Sequence, residues 1–221
     1  MTAAAGSMLD PSLAIVLTGA ATFAAGWTDL AVDALRQRME SVGSMVTVAE
    51  AESGAGESSL LASARDTPEK LQLTVEVLDA TMRTALEDKI RALGRTWASG
   101  VMSDDQAGVE IERMLTGALA QCEAPHVAVL RVIMGDYRKS PHADSGDQIF
   151  GAGWTPDLLR ATLPAYAPAV PSIIARLAAV GLIGESSTMT LPEISRGTSY
   201  GLTPIGDRAV RRLATGNAGT D

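Results

Sequence analysis

The chain has 221 residues, enough for one large domain or two small ones whose core needs neither disulfides nor metals. Hydrophobic residues make up 46% and aromatics only 4%, so the core is aliphatic and favours packed helices over sheets. Basic and acidic residues number 2 and 7 over 1–59, 10 and 14 over 60–149, and 6 and 5 over 150–221, or −5, −4 and +1, a balance that disfavours nucleic acid as a partner.

Asp10 is placed to cap a first helix, with Pro11 in its first turn. From Pro11 to Thr28 there is no charge, but Gly19, Gly26 and four Ser or Thr residues oppose membrane insertion. The expectation is a small-residue helix buried against a neighbour or a second copy, with insertion of this stretch as the one membrane route. After Trp27 the pattern becomes amphipathic, with Leu35, Met39, Val42 and Val46 on one stripe. The Ser-, Gly- and Glu-rich stretch from Glu50 to Ser59 predicts a mobile linker, spanning about 50–66.

Thr67 and Pro68 then open the most regular pattern in the chain. Leu71, Val75, Leu78, Met82, Leu86, Ile90, Leu93 and Trp97 recur at steps of three and four, predicting one long helix over 68–99 with a bend at Gly94 and a stop at Gly100. Ser103 with Gln106 matches a capping box for a further helix that carries Ile111, Met114, Leu115, Ala118 and Leu119 inward and ends near Cys122. Pro125 starts a helix with Val129, Leu130, Val132 and Ile133, and the polar residues 135–153 predict an exposed loop.

From Trp154 the punctuation sharpens. Thr155-Pro156 opens a short helix, 164–168 turns the chain, and Ile173, Ile174, Leu177 and Val180 define a second helix ending at Gly181. Leu182-Ile183, the segment 188–191, a Ser-Arg-Gly-Thr turn at 195–198 and Tyr200-Gly-Leu202 are hairpin signals, and Thr203-Pro204 starts the last helix through Ile205, Val210 and Leu213. The remaining residues, 215–221, are expected to be a disordered tail.

The fold expected is mainly α: an N-terminal helical bundle (1–122) followed by a winged-helix-like module (123–214) with a small β-hairpin. With "Leu-Ala-Ala-Val-Gly-Leu-Ile" before the hairpin and "Tyr-Gly-Leu-Thr-Pro-Ile-Gly" after it, the module resembles winged-helix proteins of the multiple-antibiotic-resistance regulator type. That resemblance implies a recognition helix before Gly181, a hairpin that serves as the wing, and nucleic-acid contacts from Ser172, Arg176 and Arg196. Its start, Pro168-Ala-Val-Pro171-Ser172, departs from the family in lacking the Arg, Lys, Asn or Gln that reads base edges. Arg208, Arg211 and Arg212 of the last helix suit a solvated face equally well. The stretches "Ala-Leu-Gly-Arg-Thr-Trp-Ala-Ser-Gly" (92–100) and "Glu-Ala-Pro-His-Val-Ala-Val-Leu" (123–130) are similar to bacterial proteins of the abortive-infection alpha type, which implies a role in phage defence and transfers no functional residue.

Catalytic, cofactor and metal signatures are missing. His126 and His142 have no ligand partners at metal spacing, Cys122 reads as a small buried hydrophobe, and no phosphate-binding glycine loop occurs. Cys122 also stands alone, which excludes an intramolecular disulfide, and residues 1–9 lack the basic region of a secretory signal, so the expected compartment is the cytoplasm. The sequence therefore predicts a non-enzymatic protein that acts through a protein partner or by self-association. The alternatives are a DNA-binding regulator and a membrane-acting defence protein.

Overall fold

The computed structural model describes residues 11–137, 150–186 and 198–214. The described residues are mainly helical, with a small antiparallel sheet: α1 (Pro11–Ser53), α2 (Glu57–Ser63), α3 (Pro68–Met82), α4 (Glu87–Val101), α5 (Gln106–Ala120), α6 (Ala124–Tyr137), β1 (Phe150–Trp154), α7 (Pro156–Thr162), a 3-10 segment (Pro164–Ala169), α8 (Val170–Ala179), β2 (Ile183–Ser186), β3 (Ser199–Leu202) and α9 (Pro204–Ala214). Contacts divide the chain between Glu40 and Ser41. In the first unit Leu30, Val32, Leu35 and Met39 are all exposed. No helix among the described residues is long and apolar enough to cross a membrane.

The second unit is built around α4, which is buried along almost its whole length. Trp97 lies at its centre, 2% exposed, and its indole N–H donates to Thr74 Oγ1 at 2.9 Å. Burying a Trp is favourable only when that N–H finds an acceptor, and Thr74 supplies one from α3 while donating its own hydroxyl to Lys70 O. Met45 and Ala49, Leu73 and Val77, Leu115 and Leu119, and Val210 and Leu213 complete the core from α1, α3, α5 and α9. Elements on both sides of residue 122 thus belong to one core.

The continuous helix expected over 68–99 is two helices. Between Met82 and Glu87 the Thr84 hydroxyl accepts from Leu86 N at 3.2 Å, and Leu86 takes an extended conformation, so the chain folds back and α4 packs against α3. The buried stripe of α3 is not the one with the largest residues. Leu71 (50% exposed), Val75 (59%) and Met82 (40%) face outward, whereas Leu73, Val77 and Ala80 face inward with Lys70, Thr74 and Thr81. Both stripes have helical spacing, and the one with smaller side chains lets α4 and α5 approach more closely. Helix α4 runs through Gly94 and ends at Val101, one residue beyond the stop expected at Gly100. A Cβ on Gly94 would lie 2.5 Å from Met45 O, and one on Gly100 2.2 Å from a Leu73 methyl.

Other boundaries shift for local reasons. Asp105 rather than Ser103 caps α5, its carboxylate accepting from Ala107 N and Gly108 N. Ile111 and Met114 are exposed, and Glu112 and Thr116 take inward positions instead. The linker expected over about 50–66 holds the end of α1, the Gly54 turn at φ +68° and α2, whose Leu60 is fully buried and whose Ser63 hydroxyl donates to Val101 O. Of the loop expected at 135–153, α6 occupies the start and β1 the end, and 138–149 lie outside the described residues. So do the segments 188–191 and 195–197, the tail 215–221, Asp10 and residues 1–9.

The C-terminal elements follow expectation more closely. Thr155 caps α7, α8 ends at Ala179 with Gly181 at φ +74° just after its Val180 cap, and β2 pairs antiparallel with β3 from Ile183↔Leu202 to Ser186↔Ser199. A third strand, β1, pairs with the other edge of β3, giving the order β1-β3-β2. Its sequence, Phe-Gly-Ala-Gly-Trp, has turn composition, and Gly153 is needed because a Cβ there would lie 2.3 Å from Ser199 Oγ. Thr203 ties the sheet to α9, donating to Gly181 O and accepting from Gly206 N.

Gly94→Ala is expected to cost about 1–3 kcal/mol, since the clash is with a backbone carbonyl that a rotamer change cannot move, and thermal unfolding will show it as a Tm lowered by several degrees. Gly43→Ala in α1, where nothing lies within 4 Å, is expected to leave Tm unchanged or raise it through helix propensity.

Candidate nucleic-acid interface

Four hydrophobic residues seat α8: Val170, Ile173, Ile174 and Leu177 are buried. The helical repeat then puts Pro171, Ser172, Ala175, Arg176 and Ala179 on the outer side, all exposed. Pro171, Ala175, Ile174 and Tyr200 also border a shallow groove of about 300 Å³ shared with α7 and the sheet. Of the three expected nucleic-acid contacts, Ser172 and Arg176 lie four residues apart on this face, and Arg196 lies outside the described residues.

The charge around α8 is sparse. Among the described residues of α7, α8, β2 and β3 the cations are Arg160 and Arg176 and the anions Asp157 and Glu185. Arg160 donates to Asp157 at 2.6 Å, which leaves Arg176 as the cation of this face without an ion pair among the described residues. Its charge also acts inward, adding to the lowering of the His126 pKa that burial of the imidazole begins.

The arginines of α9 are committed elsewhere. Arg208 and Arg212 both reach Glu112 Oε1, at 3.3 Å each, and Arg212 also pairs with Glu52 at 2.9 Å. Arg95 donates to the Arg212 carbonyl at 2.5 Å and lies 3.7 Å from Glu52. Glu112 is 1% exposed and Arg212 is largely covered, whereas Arg208 pairs with Glu112 from the exposed side of the helix. Burial lowers the Arg95 pKa, an effect that Glu52 opposes. Arg211, at the exposed side of α9, pairs with Asp207 at 2.8 Å.

The two nucleophile or ligand candidates have structural roles as well. Cys122 is completely buried, and loss of solvation pushes its thiol up to about 11. His126 sits in the first turn of α6, where Nδ1 accepts from Glu123 N at 3.0 Å, so the ring caps the helix. Lys89, 2% exposed, donates to Ala120 O and Cys122 O and so closes the carbonyl end of α5; burial lowers its pKa. The Lys89, Glu112 and Arg95 roles were invisible in sequence, because charged residues on helices are read as outward-facing. Among the described residues no group of three or more His, Cys, Asp or Glu side chains is placed to hold a metal ion.

No family model, no curated protein and no solved structure matches this chain.

Arg212→Ala leaves the buried Glu112 with Arg208 alone and is expected to destabilise the fold by about 3 kcal/mol, the low end of the range for breaking a buried pair, as measured by denaturant unfolding. Arg83→Ala, which removes an exposed pair with Asp79, is expected to change stability by less than about 1 kcal/mol. In the folded protein Cys122 is expected to resist a thiol reagent at pH 8 that labels it fully after unfolding in guanidinium, because neither exposure nor thiolate is present before unfolding.

Proposed function

We propose that the protein acts without catalysis, through protein–protein contacts, as a helical protein whose C-terminal part is a winged-helix-like module. The order helix, strand, helix, helix, strand, strand, helix from α6 to α9, with β1 and β2 flanking β3, supports that description of the module. The observation that carries the function is the outer face of α8. Where a recognition helix offers base readers, this one offers Pro171, Ser172, Ala175 and Ala179, with Arg176 as its only cation. A face of small, mostly apolar side chains beside a shallow groove suits another polypeptide better than a polyphosphate.

Self-association is part of this reading. In the first unit Val32, Leu35 and Met39 follow helical spacing and are each more than half exposed, and a second copy would bury them. The roles given to Cys122, His126 and the α9 arginines favour the non-catalytic reading, since each of these groups is occupied in holding the fold.

A second reading, a DNA-binding regulator using Ser172, Arg176 and Arg196, is favoured by the order of elements alone. One pair of measurements separates the two. Sedimentation of the full chain is expected to show concentration-dependent association that weakens in Leu35→Glu/Met39→Glu, and a gel shift with duplex DNA at low salt is expected to show no complex. A monomer at all concentrations overturns self-association. A low-salt complex that fades with added salt and is lost in Arg176→Ala overturns the protein-contact reading in favour of DNA.

A further inference from the structure

We propose that the outer face of α8 is a contact between two copies of this chain, in which Arg176 of each copy enters the groove of the other and meets Glu185 and Tyr200. The proposal rests on the reading of this face as a polypeptide-contact surface and names the partner. The groove joins an apolar floor to an aromatic ring and an unpaired anion: Pro171, Ile174, Ala175 and Ala178 of α8 border it together with Glu185 and Tyr200. Glu185 and Tyr200 are direct cross-strand neighbours, so both side chains stand on one face of the sheet. Among the described residues the Glu185 carboxylate has no hydrogen-bond or ion-pair partner, and the other charge on the rim, Arg160, is held by Asp157. A carboxylate beside a tyrosine ring suits a guanidinium, which pairs with the one while lying against the other. A phosphate would be repelled there.

The same helix carries the matching cation. Arg176 is exposed, has no ion pair among the described residues, and makes none with Glu185 of its own chain. At about 3.6 residues per turn, Pro171, Ala175 and Ala178 fall on the groove flank of α8 and Arg176 on the opposite flank. A two-fold axis running along α8 therefore sets the arginine flank of each copy against the groove flank of the other, and both unpaired charges are met twice over. An axis across the helix would instead bring the two Arg176 side chains together. Between the flanks lie Ser172, Ala175 and Ala179, small enough for the two helices to approach closely. Because α8 is only 10 residues long, the contact falls at the small end of specific interfaces, below about 1,200 Å² in total, and a dissociation constant of about 10–100 μM is expected.

The test is sedimentation of the full-length chain at low salt in the Leu35→Glu/Met39→Glu background, which weakens contact through α1 and leaves α8 to be read alone. Dimers are expected in that background. Arg176→Glu and Glu185→Arg are each expected to weaken them by at least about tenfold, because each reversal sets like charges against one another at both contacts. Both positions are exposed, so Tm is expected to hold. An equimolar mixture of the two variants is expected to form mixed dimers as tightly as the background protein, since both contacts then join opposite charges. A monomer in the background up to about 1 mM overturns the proposal. So does a dimer that either reversal leaves unchanged, or a mixture of the two variants that stays monomeric. A low-salt complex with duplex DNA would be a separate failure, that of the polypeptide reading itself.

Discussion

The architecture of the second unit depends on one buried carboxylate. Glu112, on the inward side of α5, is almost wholly excluded from solvent, and a charge in that position is tolerable only if cations meet it. Arg208 and Arg212 meet it from α9, and Arg212 extends the cluster to Glu52 near the end of α1. Arg95 on α4 then holds the carbonyl of Arg212. Four helices remote in sequence thus converge on one set of charges, and their geometry dictates where the last helix lies against α4 and α5. One carboxylate oxygen is left over, since Glu112 Oε2 has no hydrogen-bond partner, which fits a device that specifies position more than it stabilises.

This constraint bears on function. The last helix, α9, carries three arginines in five residues. Arg212 is turned inward to Glu112, Arg208 reaches Glu112 from the exposed side, and the third is paired with Asp207 on its own helix. What remains at the surface of α8 is small and nearly neutral. The electrostatic attraction that brings a protein to a polyphosphate scales with the number of phosphates its cations neutralise, and among the described residues of α8 Arg176 is the one cation.

Buried polar groups elsewhere divide into those that are satisfied and those that are not. Lys89 caps the end of α5, and Thr74 links Trp97 to the α3 backbone, so each removes a penalty that would otherwise fall on its neighbours. Thr81 and Thr96 hydroxyls and the Trp154 indole nitrogen have no such partner among the described residues.

Much of the local structure could be read from residue types. Thr67-Pro68, Thr155-Pro156 and Thr203-Pro204 mark helix starts by their own chemistry, and Gly181 marks a helix end by its freedom to take positive φ; each needs only the neighbouring few residues. The same locality explains why the hairpin of β2 and β3 was legible and β1 was not: Phe-Gly-Ala-Gly-Trp becomes a strand only because β3 offers it an edge. Which stripe of α3 turns inward, where the rod over 68–99 breaks, and that Glu112, Lys89 and Lys70 are buried were decided by packing. Periodicity states that a helix has faces, but only its neighbours decide which face is covered, because closeness of approach and charge pairing at a distance in sequence outweigh the larger size of one apolar stripe.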